Sequence, residues 1–135
     1  MRIDREHQLY EQIATYLQLQ YPNVIYRFDL AADLKLTMGQ AAKHKRLHPR
    51  RGYPDLFIAE YKVDHWTNTP RWHGLFLEIK AEGNSPFKKD GTLKKDEHLK
   101  EQEEMLEALR SRGYMAKFAT GFDEAKEVID DYMKH

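Results

Sequence analysis

Apolar residues recur every three to four positions from about Asp4 to Gln20, at Leu9, Ile13, Tyr16 and Leu17, and Tyr21-Pro22-Asn23 ends the run. That spacing predicts an opening amphipathic helix. Val24 to Leu30 alternates instead and is rich in β-branched and aromatic side chains, which reads as a strand. Thr37 to Leu47 suits a short helix capped by Thr37, with His48 to Gly52 as a loop. Two apolar runs follow, Asp55 to Tyr61 and His73 to Ala81, and the turn-forming stretch Asp64 to Pro70 between them predicts that they pair as a hairpin. Gly83 to Glu97 reads as a mobile basic loop. Leu99, Gln102, Leu106 and Leu109 line one face of a helix ending at Gly113, Tyr114 to Ala119 forms a further strand, and Phe122, Ala125, Val128, Ile129 and Tyr132 stripe a last helix beginning near Asp123. A strand, helix, strand succession makes a right-handed parallel crossover, so the expected fold is α/β, a mixed sheet flanked by helices.

With 135 residues the chain is expected to form one domain, 1–135. Hydrophobic residues at 41% and charged residues at 33% suit a globular protein rather than a disordered tract. No apolar run approaches the roughly 18 residues of a membrane span, and the first residues lack a signal-like apolar stretch, so a cytoplasmic location is expected. There are no cysteines, which excludes disulfides, thiolate metal sites and thiol nucleophiles. The formal net charge is zero, yet the charge is segregated. Lys43, Lys45, Arg46, Arg50 and Arg51 form one basic run with His44 and His48, and Lys88, Lys89, Lys94 and Lys95 form another, whereas Asp123, Glu124, Glu127, Asp130 and Asp131 crowd the C-terminal segment. The basic runs are the candidate phosphate contacts. His44, His48, His65, His73 and His98 raise the question of zinc, but their spacing suits surface or nucleic-acid-facing roles better.

The informative positions are polar residues where the pattern asks for apolar ones. In Leu75-Phe76-Leu77-Glu78-Ile79-Lys80, Glu78 and Lys80 project from one strand face and Leu77 and Ile79 from the other. Asp55, after Pro54 at the head of the partner strand, is placed by hairpin pairing at the same sheet edge. Two carboxylates and a lysine suit a hard divalent cation, Mg²⁺ or Mn²⁺, which takes one or two protein carboxylates alongside a substrate phosphate. Glu6 falls at the centre of the first helix's apolar face, and Gln102 interrupts the stripe of Leu99, Leu106 and Leu109. Each has a bland reading: a surface ion pair for Glu78 and Lys80, a turn for Pro54-Asp55, a helix-dipole preference for Glu6, a stripe margin for Gln102. The conjunction argues for a site.

These residues resemble the virus-type replication-repair nuclease (VRR-NUC) domain of the PD-(D/E)XK nuclease superfamily, in its small stand-alone phage and bacterial form. The likeness spans nearly the whole chain and rests on Glu6, Arg51-Gly52-Tyr53-Pro54-Asp55-Leu56, Gly74-Leu75-Phe76-Leu77-Glu78-Ile79-Lys80, and Gln102 followed by Leu109 and Gly113-Tyr114. It implies a restriction-endonuclease-like αβββαβ core and a Mg²⁺- or Mn²⁺-dependent endonuclease acting on DNA, with branched substrates such as Holliday junctions or flaps and a homodimeric assembly. It also implies Asp55, Glu78, the Ile79 carbonyl and Glu6 at the metal, Lys80 as catalytic lysine and Gln102 completing the site. The alternative is a DNA-binding recombination accessory protein that keeps the fold without turnover. A third reading is a small interaction domain with an incidental ion pair.

Overall fold

The computed structural model describes residues 5–29 and 36–134. The core runs α1 (Arg5–Gln20), β1 (Tyr26–Phe28), β2 (Leu56–Ile58), β5 (Leu75–Lys80), α3 (Glu97–Arg110), β6 (Met115–Thr120), which is the expected αβββαβ order, and α4 (Gly121–Lys134) closes it. Between β1 and β2 lies α2 (Met38–Leu47); between β2 and β5 lies a ribbon of β3 (Lys62–Val63) and β4 (Pro70–Trp72). The main sheet has strand order β1-β2-β5-β6, antiparallel across β1, β2 and β5 and parallel between β5 and β6. The parallel pair follows from the α3 crossover, since only a connection of that length returns a strand in the same direction.

Strand alternation divides the core into two layers. Leu56, Ile58, Leu75, Leu77 and Ile79 pack with Leu9, Ile13 and Leu17 of α1 and Ala125, Ile129 and Tyr132 of α4. Phe76, Ala116 and Phe118 point the other way, onto Leu106 of α3, with Phe57 stacked on Phe76 at 4.5 Å between ring centroids. Glu78 and Lys80 have the parity of Phe76 and so belong to the α3 side of the sheet.

Helix boundaries follow local chemistry. Thr37 accepts from the Gln40 N–H while the Gln40 side chain returns to the Thr37 N–H, a capping box that starts α2. Asp96 caps α3, accepting from the His98 and Leu99 N–H groups. That helix ends at Arg110, and Gly113 takes the left-handed turn (φ 93°) that leads into β6.

Three expectations are refined. The first strand is confined to Tyr26–Phe28, and Leu30 lies outside the described residues. The two apolar runs do pair, Leu56 opposite Leu77, but their connection is not a plain turn. It carries β3 and β4, tied at the base by Lys62 Nζ donating to the Met133 carbonyl and the Tyr132 hydroxyl to that of Glu60. Within Gly83 to Glu97, Phe87 bridges Leu93, and the Lys88 N–H bonds the Thr92 carbonyl, so this segment is a small organised hairpin.

Candidate active site

The strand register assembles the site. One step beyond the Leu56 and Leu77 pair, Asp55 comes opposite Glu78. Directly opposed residues on one sheet face hold their Cβ atoms about 5 Å apart, so the two carboxylates are neighbours by register alone. β2 begins at Leu56, and just before it the Asp55 side chain extends the ladder: its Oδ2 accepts from the Ile79 N–H at 2.8 Å. Asp55 and Glu78 are 5% and 4% exposed, and Gln102, across from them on α3, is 5% exposed. Gln102 Nε2 donates to Glu78 Oε1 at 2.8 Å, and Lys80 Nζ donates to Gln102 Oε1 at 2.8 Å while lying 3.7 Å from Glu78 Oε1. The ring of Phe118 sits 6.0 Å from the ammonium and favours its charge.

Burying two acids side by side is costly in water-free surroundings. Burial, then the charge of Asp55, pushes the Glu78 carboxyl up to about 9 against the pull of Lys80. Burial also raises Asp55, opposed by the Ile79 N–H and the hydroxyl of Tyr10. Glu78 Oε2 is buried with no hydrogen-bond donor. An acceptor in that position needs a proton or a cation. A divalent cation fits: it would cancel the repulsion that lifts both acids and occupy the orphaned oxygen. Among the described residues no group of three or more His, Cys, Asp or Glu gathers around one point. Two carboxylates, with water and substrate supplying the remaining oxygens, would suit a hard divalent cation better than a closed protein cage would.

Glu6 lies half-buried in the first turn of α1, and its charge contributes to raising both Glu78 and Tyr10. The structure thus gathers Asp55, Glu78, Lys80 and Gln102 by direct contact and Glu6 by electrostatic reach, with Ile79 joined through its N–H. Two residues left out of the predicted site adjoin them: Tyr10, which the sequence did not single out, and His98, read there only as a surface or nucleic-acid-facing histidine. Tyr10, one turn after Glu6, is buried, stacks on Phe28, and bonds Asp55, which together with burial raises its hydroxyl pKa. His98, one turn before Gln102, places Nε2 3.2 Å from Gln102 Nε2. The available signal was spacing: each lies four residues from a position already singled out.

Gly52 ties the loop before Asp55 to α3. Its φ is +79°, and a Cβ there would lie 2.7 Å from the Glu101 carbonyl oxygen and 3.0 Å from the Gln102 nitrogen. Gly52→Ala is therefore expected to cost about 1–3 kcal/mol of stability and to displace Gln102. Thermal denaturation reads the first effect, and loss of the Gln102 side-chain amide shifts by NMR reads the second.

The basic residues lie outside this cluster. Lys43, Lys45, Arg46, Arg50 and Arg51 are exposed on α2 and the loop after it, and Lys88, Lys89, Lys94 and Lys95 are exposed on the small hairpin. Both segments end at the first turns of α3: Arg51 lies 3.9 Å from Glu101, and Lys95 directly precedes the Asp96 cap. The acidic helix α4 packs on the other face of the sheet, where Asp130 accepts from Tyr16, Tyr21 and Lys126. The two basic segments thus border the start of α3, while the acidic α4 lies on the opposite face of the sheet. No helix among the described residues is long and apolar enough to cross a membrane.

A mixed four-stranded sheet of this topology, with Asp at the head of one strand and Glu-x-Lys at the end of its neighbour, defines a restriction-endonuclease-like, nuclease-type domain. A solved structure described as a VRR_NUC domain protein matches the chain with a TM-score of 0.63 and 28% sequence identity, covering 99% of this chain and 92% of that one. The chain is thus similar to a VRR-NUC domain over nearly its whole length. No family model and no curated protein matches it.

Proposed function

We propose that residues 1–135 form one metal-dependent DNA endonuclease domain, with Asp55, Glu78, Lys80, Gln102 and Glu6 as its site. The observation that carries this reading is the buried, donor-less Glu78 Oε2 beside a second buried carboxylate and a lysine. A purely DNA-binding surface has no use for carboxylates facing phosphate, and a purely structural ion pair would leave no acceptor orphaned. Asp55, Glu78 and the Ile79 carbonyl would hold Mg²⁺ or Mn²⁺, with Glu6 nearby. Bound there, the ion would supply Lewis acidity and a water of lowered pKa. Lys80, held by Gln102, places a positive charge where charge develops on the scissile phosphate. Asp55, fixed by the Ile79 N–H and Tyr10, keeps its carboxylate from turning away as substrate enters.

The substrate is DNA, read by backbone and shape, since no base-reading motif is visible. Branched forms, Holliday junctions or flaps, are the preferred candidates, and the assembly is a homodimer, because a symmetric junction needs paired cuts and two-fold closure is the commonest assembly. Light scattering is expected to give twice the chain mass at working concentration.

The deciding experiment incubates wild type and Lys80→Ala with labelled four-way junction, flap, linear duplex and single-stranded DNA, in Mg²⁺, Mn²⁺ or EDTA. Cutting that needs metal and Lys80 is the expected result; tight binding without cutting under every metal would overturn it in favour of an accessory protein. The basic segments carry a separate expectation. Replacing Lys43, Lys45 and Arg46 together by alanine should weaken binding to all DNA forms alike and flatten the plot of log affinity against log salt by up to about 2.7, at about 0.9 for each phosphate no longer neutralised. Filter binding across a salt series measures that slope.

A further inference from the structure

Asp96 starts α3 by accepting from the His98 and Leu99 N–H groups at 2.8 and 3.1 Å, and this places His98 one turn before Gln102 on the same helix face. His98 is exposed while Gln102 and Glu78 are buried, so its ring stands between solvent and the polar cluster. Donor and acceptor capacities fix the hydrogen positions. The Lys80 ammonium only donates, so the amide atom 2.8 Å from it is the oxygen. The other amide atom is then the NH₂ group. One of its hydrogens goes to Glu78 Oε1 at 2.8 Å, and the second points at His98 Nε2, 3.2 Å away. An amide NH₂ cannot accept, so His98 Nε2 carries the lone pair and the ring proton sits on Nδ1.

We propose that His98 is a positioning residue for Lys80: by accepting the second amide hydrogen of Gln102 it holds the amide in the rotation that presents its oxygen to the lysine and its nitrogen to Glu78. The role rests on the reading of Lys80 as the residue that acts on the scissile phosphate; the contact itself does not. The terminal torsion of a glutamine is broad and two-fold, so amides are easily turned over. Turning this one over sets NH₂ against NH₃⁺ and leaves Lys80 without its acceptor. His98 opposes that rotation from the outside, because the flipped amide would aim an oxygen lone pair at the bare Nε2.

The test uses the full chain with His98→Ala, His98→Gln, Gln102→Ala and the His98→Ala/Gln102→Ala double variant. Glutamine at 98 keeps an acceptor about where Nε2 lies. In His98→Ala, kcat on the cleaved DNA is expected to fall about tenfold, the worth of one such hydrogen bond, with KM unchanged. His98→Gln is expected to recover most of it, and the double variant to be no slower than Gln102→Ala. Multiplied losses in the double variant, or no loss in His98→Ala, would overturn the proposal. A second readout needs no cleavage at all. In ¹⁵N-labelled, metal-free protein the Gln102 side-chain amide, identified by its absence in Gln102→Ala, should be displaced from free-amide shifts and slow to exchange. It should relax to free values in His98→Ala and stay displaced in His98→Gln. An amide indifferent to residue 98 defeats the proposal whether or not the protein cuts DNA, whereas displaced amide signals in a protein that cuts nothing would defeat only the nuclease reading.

Discussion

Lys80→Ala is expected to slow single-turnover DNA cleavage by about 10²–10⁴-fold, the range for removing a charge that meets a developing oxyanion. The side chain stands at the sheet's end but is only 13% exposed; because Glu78 beside it can hold a proton once the cation is gone, the fold should persist with a lowered melting temperature. What changes is local. Gln102 Oε1 loses its donor, the cation 3.7 Å from Glu78 Oε1 disappears, and nothing comparable replaces the charge. Metal affinity, followed by calorimetry with Mn²⁺, should survive, because Asp55 and Glu78 remain. Lys80→Ala that cuts at the wild-type rate would remove the lysine from the mechanism; one that neither cuts nor holds metal would mean the cluster collapses without it.

The metal-free protein should lose stability as pH rises through neutrality. Glu78 titrates near 4.5 when free and at about 9 in the fold, so between those values the folded chain keeps a proton that the unfolded chain has released. Unfolding then liberates a proton, and raising pH favours it. The contribution is complete below about 4.5, declines by up to about 1.4 kcal/mol per pH unit for one proton, and is gone above about 9. Asp55, displaced in the same direction, adds to the slope. A divalent cation takes the place of the proton, so Mg²⁺ or Mn²⁺ should stabilise most at the alkaline end and flatten the profile. Glu78→Gln should flatten it without metal. Chemical denaturation from about pH 5 to about pH 9, with EDTA or with cation, measures both. A rising profile in EDTA would mean that the two acids do not share the buried environment described above.

The succession of helices and strands, and the place of Asp55 at the sheet edge of Glu78 and Lys80, were legible from periodicity and pairing; the αβββαβ core came with the family resemblance, and the direct opposition of Asp55 to Glu78 only with the strand register. A two-residue repeat fixes which side chains share a face, and the register fixes which residue lies across. Thr37 announced α2 because a side-chain cap is a local property. Tyr10 was not legible, since an aromatic residue in an apolar stripe is indistinguishable from core until the third dimension places its hydroxyl on Asp55. The ribbon of β3 and β4 escaped because strands of two and three residues are shorter than any alternation that could reveal them. Gly83 to Glu97 reads as loose because turn residues dominate it. Its order comes from one bridge, Phe87 with Leu93, and from Phe87 meeting Phe118 edge-on, a partner far away in sequence.

Helix α2 buries none of its residues, and even Met38 and Leu47 stand 91% and 66% exposed. Its stability is drawn from its own capping box, not from the sheet. Its sequence is therefore released from the volume constraints that bind every residue of the core. Such a segment can be recoded, lengthened or exchanged between relatives at little cost to folding. On the reading proposed above, in which its basic residues meet DNA, substrate preference can be altered through this helix with Asp55, Glu78 and Lys80 left untouched.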